Sequence, residues 1–272
     1  MDIKTFQNIK KRAMTFTYHS FSYIDDITYL SYELLYDQQE GIILRGFIED
    51  HEMYHILWAT HDISFLLKYL HLPKTIFMFI PKLWKDQLLD HGMKEYGILR
   101  EYWKVKMQDI DGEVELSDLN ETYSQAISDV TKDCLLESRE FHGESKTFVE
   151  NWILEKDSYL REIKAKHTKI FGYFHEKELI GVVFLTIYGE NKMHKKTLWI
   201  RELAVKRAYQ HQGIGRKLMK NALQYGKLHA VDRAFLMADD LNIHAIKLYQ
   251  SFGFVPHMED EQIDLITPDT FN

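Results

Sequence analysis

Apolar and polar positions change period repeatedly along the chain, and each change marks an element. Leu198–Val205 reads Leu-Trp-Ile-Arg-Glu-Leu-Ala-Val, the composition of a buried strand. A polar turn follows, and Gly213 and Gly215 then open an amphipathic pattern that runs to about Leu228. Val231–Ala238 returns to strand composition, and Asn242–Ser251 to helical spacing ended by Gly253. Gln262–Ile266 is a last strand, while the acidic run Met258–Asp264 reads as a solvated turn. Upstream, Lys169–Phe174 and Leu179–Tyr188 form a strand pair, preceded by helices near Thr122–Leu136 and Thr147–Lys164. Glu113–Leu119 begins this half, a polar loop covers Ser138–Ser145, and Gly189–Lys196 is a charged connector.

The first half repeats part of this order. Ile24–Asp37 has helical spacing; Gly41–Glu49 and Tyr54–Ala59 read as strands. Asp62–Leu70 is helical with Asp62 as its N-cap, Thr75–Ile80 is a short strand, and Lys82–His91 a helix stopped by Gly92. Tyr102–Met107 alternates as a final strand, and Asp109–Gly112 is the predicted boundary, giving domains 1–110 and 111–272. Strand, helix, strand, helix therefore recurs in both halves, a weak internal repeat. Between Trp58 and Leu70 the first copy carries no glycine.

Composition narrows the classes. The 272 residues suit two domains, with 45% hydrophobic and 28% charged residues, as in an ordinary globular protein. A net charge of −7 argues against general nucleic-acid binding. Cys134 stands alone, which fits a reducing compartment. The N-terminus has no signal-peptide-like apolar segment and no run is long enough to span a bilayer, so a cytoplasmic location is expected.

Two stretches could carry chemistry. His51-Glu-Met-Tyr-His55 matches the zinc-protease pattern His-Glu-x-x-His, with His61 nearby. That chemistry needs both histidines on one helical face, and here the pattern lies between strand-like runs, so no metal site is expected. The strand–glycine–helix unit at 198–228 is the stronger signal. Its loop and helix N-terminus leave backbone N–H groups pointing outward, and glycines let a phosphate approach the backbone. Leu218 stands where a dinucleotide-binding loop needs its third glycine, and no P-loop lysine follows. Between Lys192 and Arg233, lysines and arginines far outnumber Glu202 and Asp232, which suits a polyanionic ligand.

The chain resembles the GCN5-related N-acetyltransferase (GNAT) superfamily. Gln210-His-Gln-Gly-Ile-Gly215 matches its Arg/Gln-x-x-Gly-x-Gly/Ala acetyl-CoA signature, and Glu202-Leu-Ala-Val205 the strand before it. Asn242-Ile-His-Ala-Ile-Lys-Leu-Tyr-Gln-Ser-Phe-Gly-Phe254 is similar to its second motif, Asn-x-x-Ala-x-x-Leu-Tyr-x-x-x-Gly-Phe. The resemblance covers roughly 113–267 well and the first half faintly; it implies a tandem member with a degenerate N-terminal copy. The implied fold is α+β, with a twisted mixed sheet layered between helices in each GNAT-like domain.

The resemblance implies a function as well: acetyl transfer from acetyl-CoA to an amine acceptor by direct attack in a ternary complex. A non-catalytic acyl-CoA-binding module is the alternative. The implied coenzyme site comprises Leu203, Ala204, Val205, Gln210, His211, Gln212, Gly213, Ile214, Gly215, Arg216, Asn242 and Tyr249. The diphosphate would sit on the N–H groups of 211–216 and the pantetheine arm along Leu203–Val205, with the Leu203 N–H on the thioester carbonyl. Asn242 would hold the arm, although N-capping explains it equally. Tyr249 would protonate the departing thiolate in a nearly balanced transfer, or simply pack in the core. Glu202 is the leading base, with His211 or a residue of the 138–145 loop as alternatives; the glutamate that some members place on the next strand is replaced by Met237. Strand alternation puts Glu202 with Ile200 and Ala204, unless a bulge shifts the phase. Glu137, Glu140 and Glu144 could attract a cationic amine. The acceptor is a small molecule or a peptide, no nucleic acid or membrane partner is expected, and a homodimer is left open.

Overall fold

A computed structural model describes residues 1–23, 32–48, 53–107, 110–113, 115–134, 143–189 and 195–269. The chain divides into two units, Met1–Leu99 with Glu261–Asn272, and Arg100–Asp260.

The first unit opens with a helix that the sequence pattern left unresolved, α1 (Ile3–Ala13), capped by the Asp2 carboxylate, which accepts from the Thr5 N–H at 2.9 Å. It buries Phe6, Ile9 and Ala13 at helical spacing. Next come β1 (Tyr18–His19), β2 (Glu33–Gln38), β3 (Gly41–Ile48) and β4 (Met53–Thr60), then α2 (Ile63–Leu67), β5 (Thr75–Phe77), α3 (Lys82–Asp90) and β6 (Lys94–Lys104), whose C-terminal part passes into the second unit. β2, β3 and β4 are antiparallel neighbours, and β5 joins β4 in parallel.

Two sequence expectations change here, and a third holds at His55. Ile24–Asp37 is not one helix: Glu33–Gln38 forms β2, because a two-residue turn at Gln39-Glu40 returns the chain as β3 and cross-strand pairing overrides the local spacing. Residues 24–31 lie outside the described residues. His55 lies on β4, buried, rather than on a helix, so the His-Glu-x-x-His face is not formed there; His51 and Glu52 are outside the described residues. The acidic run 258–264 is not a turn but part of β12 (Val255–Ile266).

β12 also moves the boundary. Its end pairs with β5 (Leu265↔Phe77, Ile266↔Ile76), and Ile263 and Leu265 fill the first unit's core beside Phe77, Trp84 and Leu88. Asp264 accepts from the Phe79 N–H at 2.8 Å and the Thr267 hydroxyl from the Thr75 N–H at 2.9 Å. The division therefore falls at Leu99/Arg100 and Asp260/Glu261, not at residue 110 alone.

The second unit contains β7 (Ser117–Asp118), α4 (Ser124–Asp133), α5 (Lys146–Ile153), α6 (Ser158–Glu162), β8 (Lys166–His175), β9 (Glu178–Tyr188), β10 (Thr197–Val205), α7 (Ile214–Leu228), β11 (Arg233–Asp239) and α8 (Ile243–Ser251). Its strands run β11-β10-β9-β8-β7, parallel only between β10 and β11. α7 covers one face, packing Leu218, Met219 and Ala222 on Leu198, Ile200 and Leu236. α4 and α5 cover the other, packing Ile127, Val130 and Trp152 on Ile170, Val182 and Phe184. This is the expected α/β/α layering. Strand, helix, parallel strand, helix recurs as β4-α2-β5-α3 and β10-α7-β11-α8. Among the described residues no helix is long and apolar enough to cross a membrane.

Candidate functional site

The site begins where two strands part. β10 pairs with β11 only from Thr197↔Arg233 to Trp199↔Phe235, yet stays with β9 as far as Val205↔Gly181. The second half of β10 thus has one open edge. Lys206 donates its N–H to the Ile180 carbonyl on the β9 side at 2.9 Å, so alternation turns the N–H and C=O of Val205 and Leu203 towards the open side. The Val205 carbonyl there accepts from Gln210 Nε2 (3.0 Å) and Cys134 Sγ (3.1 Å), which ties the following loop back to the strand.

That loop delivers unpaired amides. His211 (φ 60°) and Gly213 (φ 81°) take left-handed backbone, and α7 starts at Ile214 with no side-chain cap. Its first N–H groups are left for solvent or an anion. A Cβ built on Gly213 would meet nothing within 4 Å, so the space above the loop is open. The open strand edge, the loop and α8 line a groove of about 190 Å³.

Most of the sequence-predicted coenzyme residues meet there: Leu203, Ala204, Val205, Gln210, His211, Gly213, Ile214, Gly215, Asn242 and Tyr249 all line the groove. Gln212 and Arg216 do not line it. Gln212 Nε2 turns back to the Ala208 carbonyl, and the Arg216 guanidinium bonds Ser251 Oγ at 2.9 Å over the Phe252 ring, joining α7 to α8. Asn242 is the N-cap of α8, its Oδ1 accepting from the Ala245 N–H at 3.1 Å, so the capping alternative describes its side chain. Cys134, Tyr209, His244, Ala245 and Leu248 also line the groove. Ala245 and Leu248 follow Asn242 at helical spacing and were open to inference; Cys134 arrives from α4, which no local signal announces.

Beside the groove lies a charged cluster. The β10–β9 register slips between Ile200 and Glu202, so Arg201 is the extra residue of a bulge. The bulge shifts the phase of the strand. Arg201 lies over the Phe148 and Trp152 rings of α5 at 4.3 and 5.4 Å, while Leu203 packs with the α7 core. Arg201 Nη1 reaches Glu144 Oε1 at 2.5 Å and Glu202 Oε2 at 3.8 Å. Glu144 is pinned from the chain side: its N–H donates to Thr131 Oγ1 and its carbonyl accepts from Ser128 Oγ. Glu137 and Glu140 lie outside the described residues.

Burial pushes the Glu202 carboxyl up to about 8; Arg201 and the Leu203 N–H pull it down, and Glu144 pushes it further up. Burial, then the Glu202 carboxylate, also raises the Tyr249 hydroxyl above the ordinary phenol value. The two groups therefore sense each other, Glu202 from β10 and Tyr249 from α8. The raised tyrosine bears on the expected balanced proton transfer: a phenol held above its ordinary range is the weaker acid, so giving its proton to a thiolate is uphill. His211 stands apart on the exposed loop, its ring 5.4 Å from that of His244.

Residues 133–254 match the sequence profile of the acetyltransferase (GNAT) family. This segment is similar to that family. Over 99 residues the chain is 32% identical to the spermine/spermidine N(1)-acetyltransferase of Bacillus subtilis strain 168, covering 35% of this chain and 65% of that protein. It is 29% identical over 77 residues to rat N-acetyltransferase family 8 member 3, covering 28% of this chain and 34% of that protein. Two solved structures share the fold. A GCN5-related N-acetyltransferase from Sphaerobacter thermophilus aligns with a TM-score of 0.55 at 11% identity, over 88% of this chain and 84% of that one. A GNAT-family acetyltransferase from Colwellia psychrerythraea aligns with a TM-score of 0.52 at 11% identity, over 98% and 97%.

Proposed function

We propose that the protein transfers an acetyl group from acetyl-CoA to the amine of a small molecule or peptide, by direct attack in a ternary complex. The observation that carries this reading is the continuity of the open β10 edge with the uncapped start of α7 in one groove. The residues fit coenzyme A. The amides of 211–216 meet the diphosphate at a helix N-terminus, where the dipole favours negative charge. The turned-out N–H and C=O of Leu203 and the N–H of Val205 pair with an amide-bearing arm as a strand would.

In this reading the Leu203 N–H polarises the thioester carbonyl, a contact that strengthens as negative charge grows on that oxygen. It donates to Glu202 before the coenzyme enters, so loading the site frees the carboxyl for the acceptor. Glu202 then takes a proton from the acceptor ammonium, which frees the amine lone pair to attack; as the C–S bond breaks, the nitrogen's second surplus proton passes to the departing thiolate, and the Tyr249 hydroxyl donates a hydrogen bond to that sulfur. Small amines are the acceptor class, supported by the name of the Bacillus relatives and by the carboxylates of Glu144 and Glu202.

The first unit we read as a second copy that has lost its coenzyme site. At the start of α2, where the second unit has Gly213, the Asp62 carboxylate accepts from the Ser64 N–H at 2.7 Å and places negative charge where a phosphate would sit.

The test is thiol release from acetyl-CoA with a panel of amines that includes spermine, spermidine and simple alkylamines. Amine-dependent release supports the reading. Coenzyme A binding without release for any amine would favour the non-catalytic acyl-CoA module instead.

A further inference from the structure

The cluster beside the groove already contains a bound cation, and the chain supplies it. A guanidinium between two carboxylates and over two aromatic rings occupies the kind of seat that recognises an alkylammonium. The seat is built rather than incidental. Phe148 and Trp152 sit one turn apart on α5, with ring centroids 6.0 Å apart, and Ser145 caps that helix. Glu144, immediately before the cap, is fixed by its two bonds to α4. The bulge at Arg201 is what puts the guanidinium on this face next to Glu202. All three charged side chains are largely covered, at 16% exposure for Glu144, 25% for Arg201 and 13% for Glu202.

We propose that Arg201 determines the charge of the acceptor that this site accepts: its guanidinium fills the seat for a second cationic group, so acceptors with one amine are favoured over polycations. This rests on the acetyltransferase reading, with the acceptor entering beside Glu202. Arg201 cancels Glu144, and Glu202 holds its proton over much of the neutral range, so the pocket offers an incoming polyamine little net negative charge. Removing the guanidinium uncovers the Glu144 carboxylate, the Glu202 carboxyl and two ring faces. Neutralising Glu144 leaves the guanidinium in excess. The two changes act with opposite sign on a polycation, which a merely structural role for Arg201 does not produce.

The experiment compares wild type with Arg201→Met, Arg201→Lys and Glu144→Gln, using n-butylamine, 1,4-diaminobutane and spermidine as acceptors. Two quantities are read: kcat/KM from thiol release, and amine Kd by calorimetry on protein saturated with coenzyme A. In Arg201→Met the spermidine-to-butylamine ratio of kcat/KM should rise about tenfold, the size expected for one partly screened charge. Arg201→Lys should keep the wild-type ratio, which also shows that the bulge still folds, and Glu144→Gln should lower it. A ratio that stays the same in Arg201→Met and Glu144→Gln overturns the proposal. If no amine releases thiol from any form, the transferase reading fails alone, and the Kd series decides on Arg201. Spermidine must then bind more tightly to Arg201→Met and more weakly to Glu144→Gln; equal Kd values overturn it.

Discussion

Glu202 is where burial converts an ordinary carboxyl into a group that titrates near neutrality. With its ionisation at about 8, log kcat/KM should rise with unit slope on the acid limb and level off at about that pH. Glu202→Gln should abolish that limb and lower kcat/KM by about 10²–10³-fold. A pH–rate series on both forms checks this, and an unchanged limb in Glu202→Gln would move the base elsewhere. Stability carries the same signature with a definite sign. The folded carboxyl holds its proton up to about 8, the unfolded one only to 4.5, so between these values the folded state binds more protons. Stability should fall as pH rises through that window and level off above it, and Glu202→Gln should flatten the slope. Denaturant unfolding at several pH values measures it. Tyr249→Phe should leave coenzyme A affinity within about twofold while kcat falls about tenfold, because in the proposed mechanism the hydroxyl serves only the leaving sulfur. As candidates, both residues were legible in the sequence from the coupled motifs. The environment that sets their ionisation was not: Arg201 and Glu202 are neighbours in any sequence, but Glu144 comes 57 residues earlier and meets them only through the packing of α4 and α5 on β10.

At the scale of elements, the loop before α7 does its work through backbone geometry, and Gly213 is where that geometry is strained for other residues. Alanine there would take φ 81° at a cost of about 1 kcal/mol. Its Cβ would enter the open space over the amides. Gly213→Ala should therefore raise the coenzyme A Kd about tenfold with a modest loss of Tm, and calorimetry with a thermal melt separates the two effects. A loss of Tm with an unchanged Kd would show that the diphosphate lies elsewhere. The long, well-patterned elements of the second unit were readable because their periodicity coincides with their packing. α7 buries Leu218, Met219 and Ala222 along one stripe. The bulge in β10 was foreseen only as an alternative to simple alternation, since a bulge is defined against a partner strand and β9 is not local information. β2 differs from its sequence expectation for the same reason: Leu34 and Leu35 suit a helical stripe as well as they suit a strand, and pairing with β3 decides between them.

Across the whole molecule, the C-terminal end of β12 belongs to the first unit, and this could not be read from a sequence in which it simply follows the second. The residues themselves explain the exchange. Leu265 is fully buried among Phe77, Trp84 and Leu88, and its strand extends the sheet beyond β5. Deleting its side chain to the β-carbon should leave a cavity in the first unit and cost about 2–4 kcal/mol. That is a large part of a typical domain's stability of about 5–15 kcal/mol. Yet Leu265 lies in the half that carries the acetyltransferase motifs, so a linear reading of the chain would assign the damage to the coenzyme site. The opposite is expected. Leu265→Ala should lower the first unit's melting transition by about 10 °C and make residues of 1–99 more sensitive to limited proteolysis. Its coenzyme A Kd should stay within about twofold of wild type. If the variant instead lost coenzyme A affinity while the first unit resisted protease, β12 would have to be counted with the second unit after all.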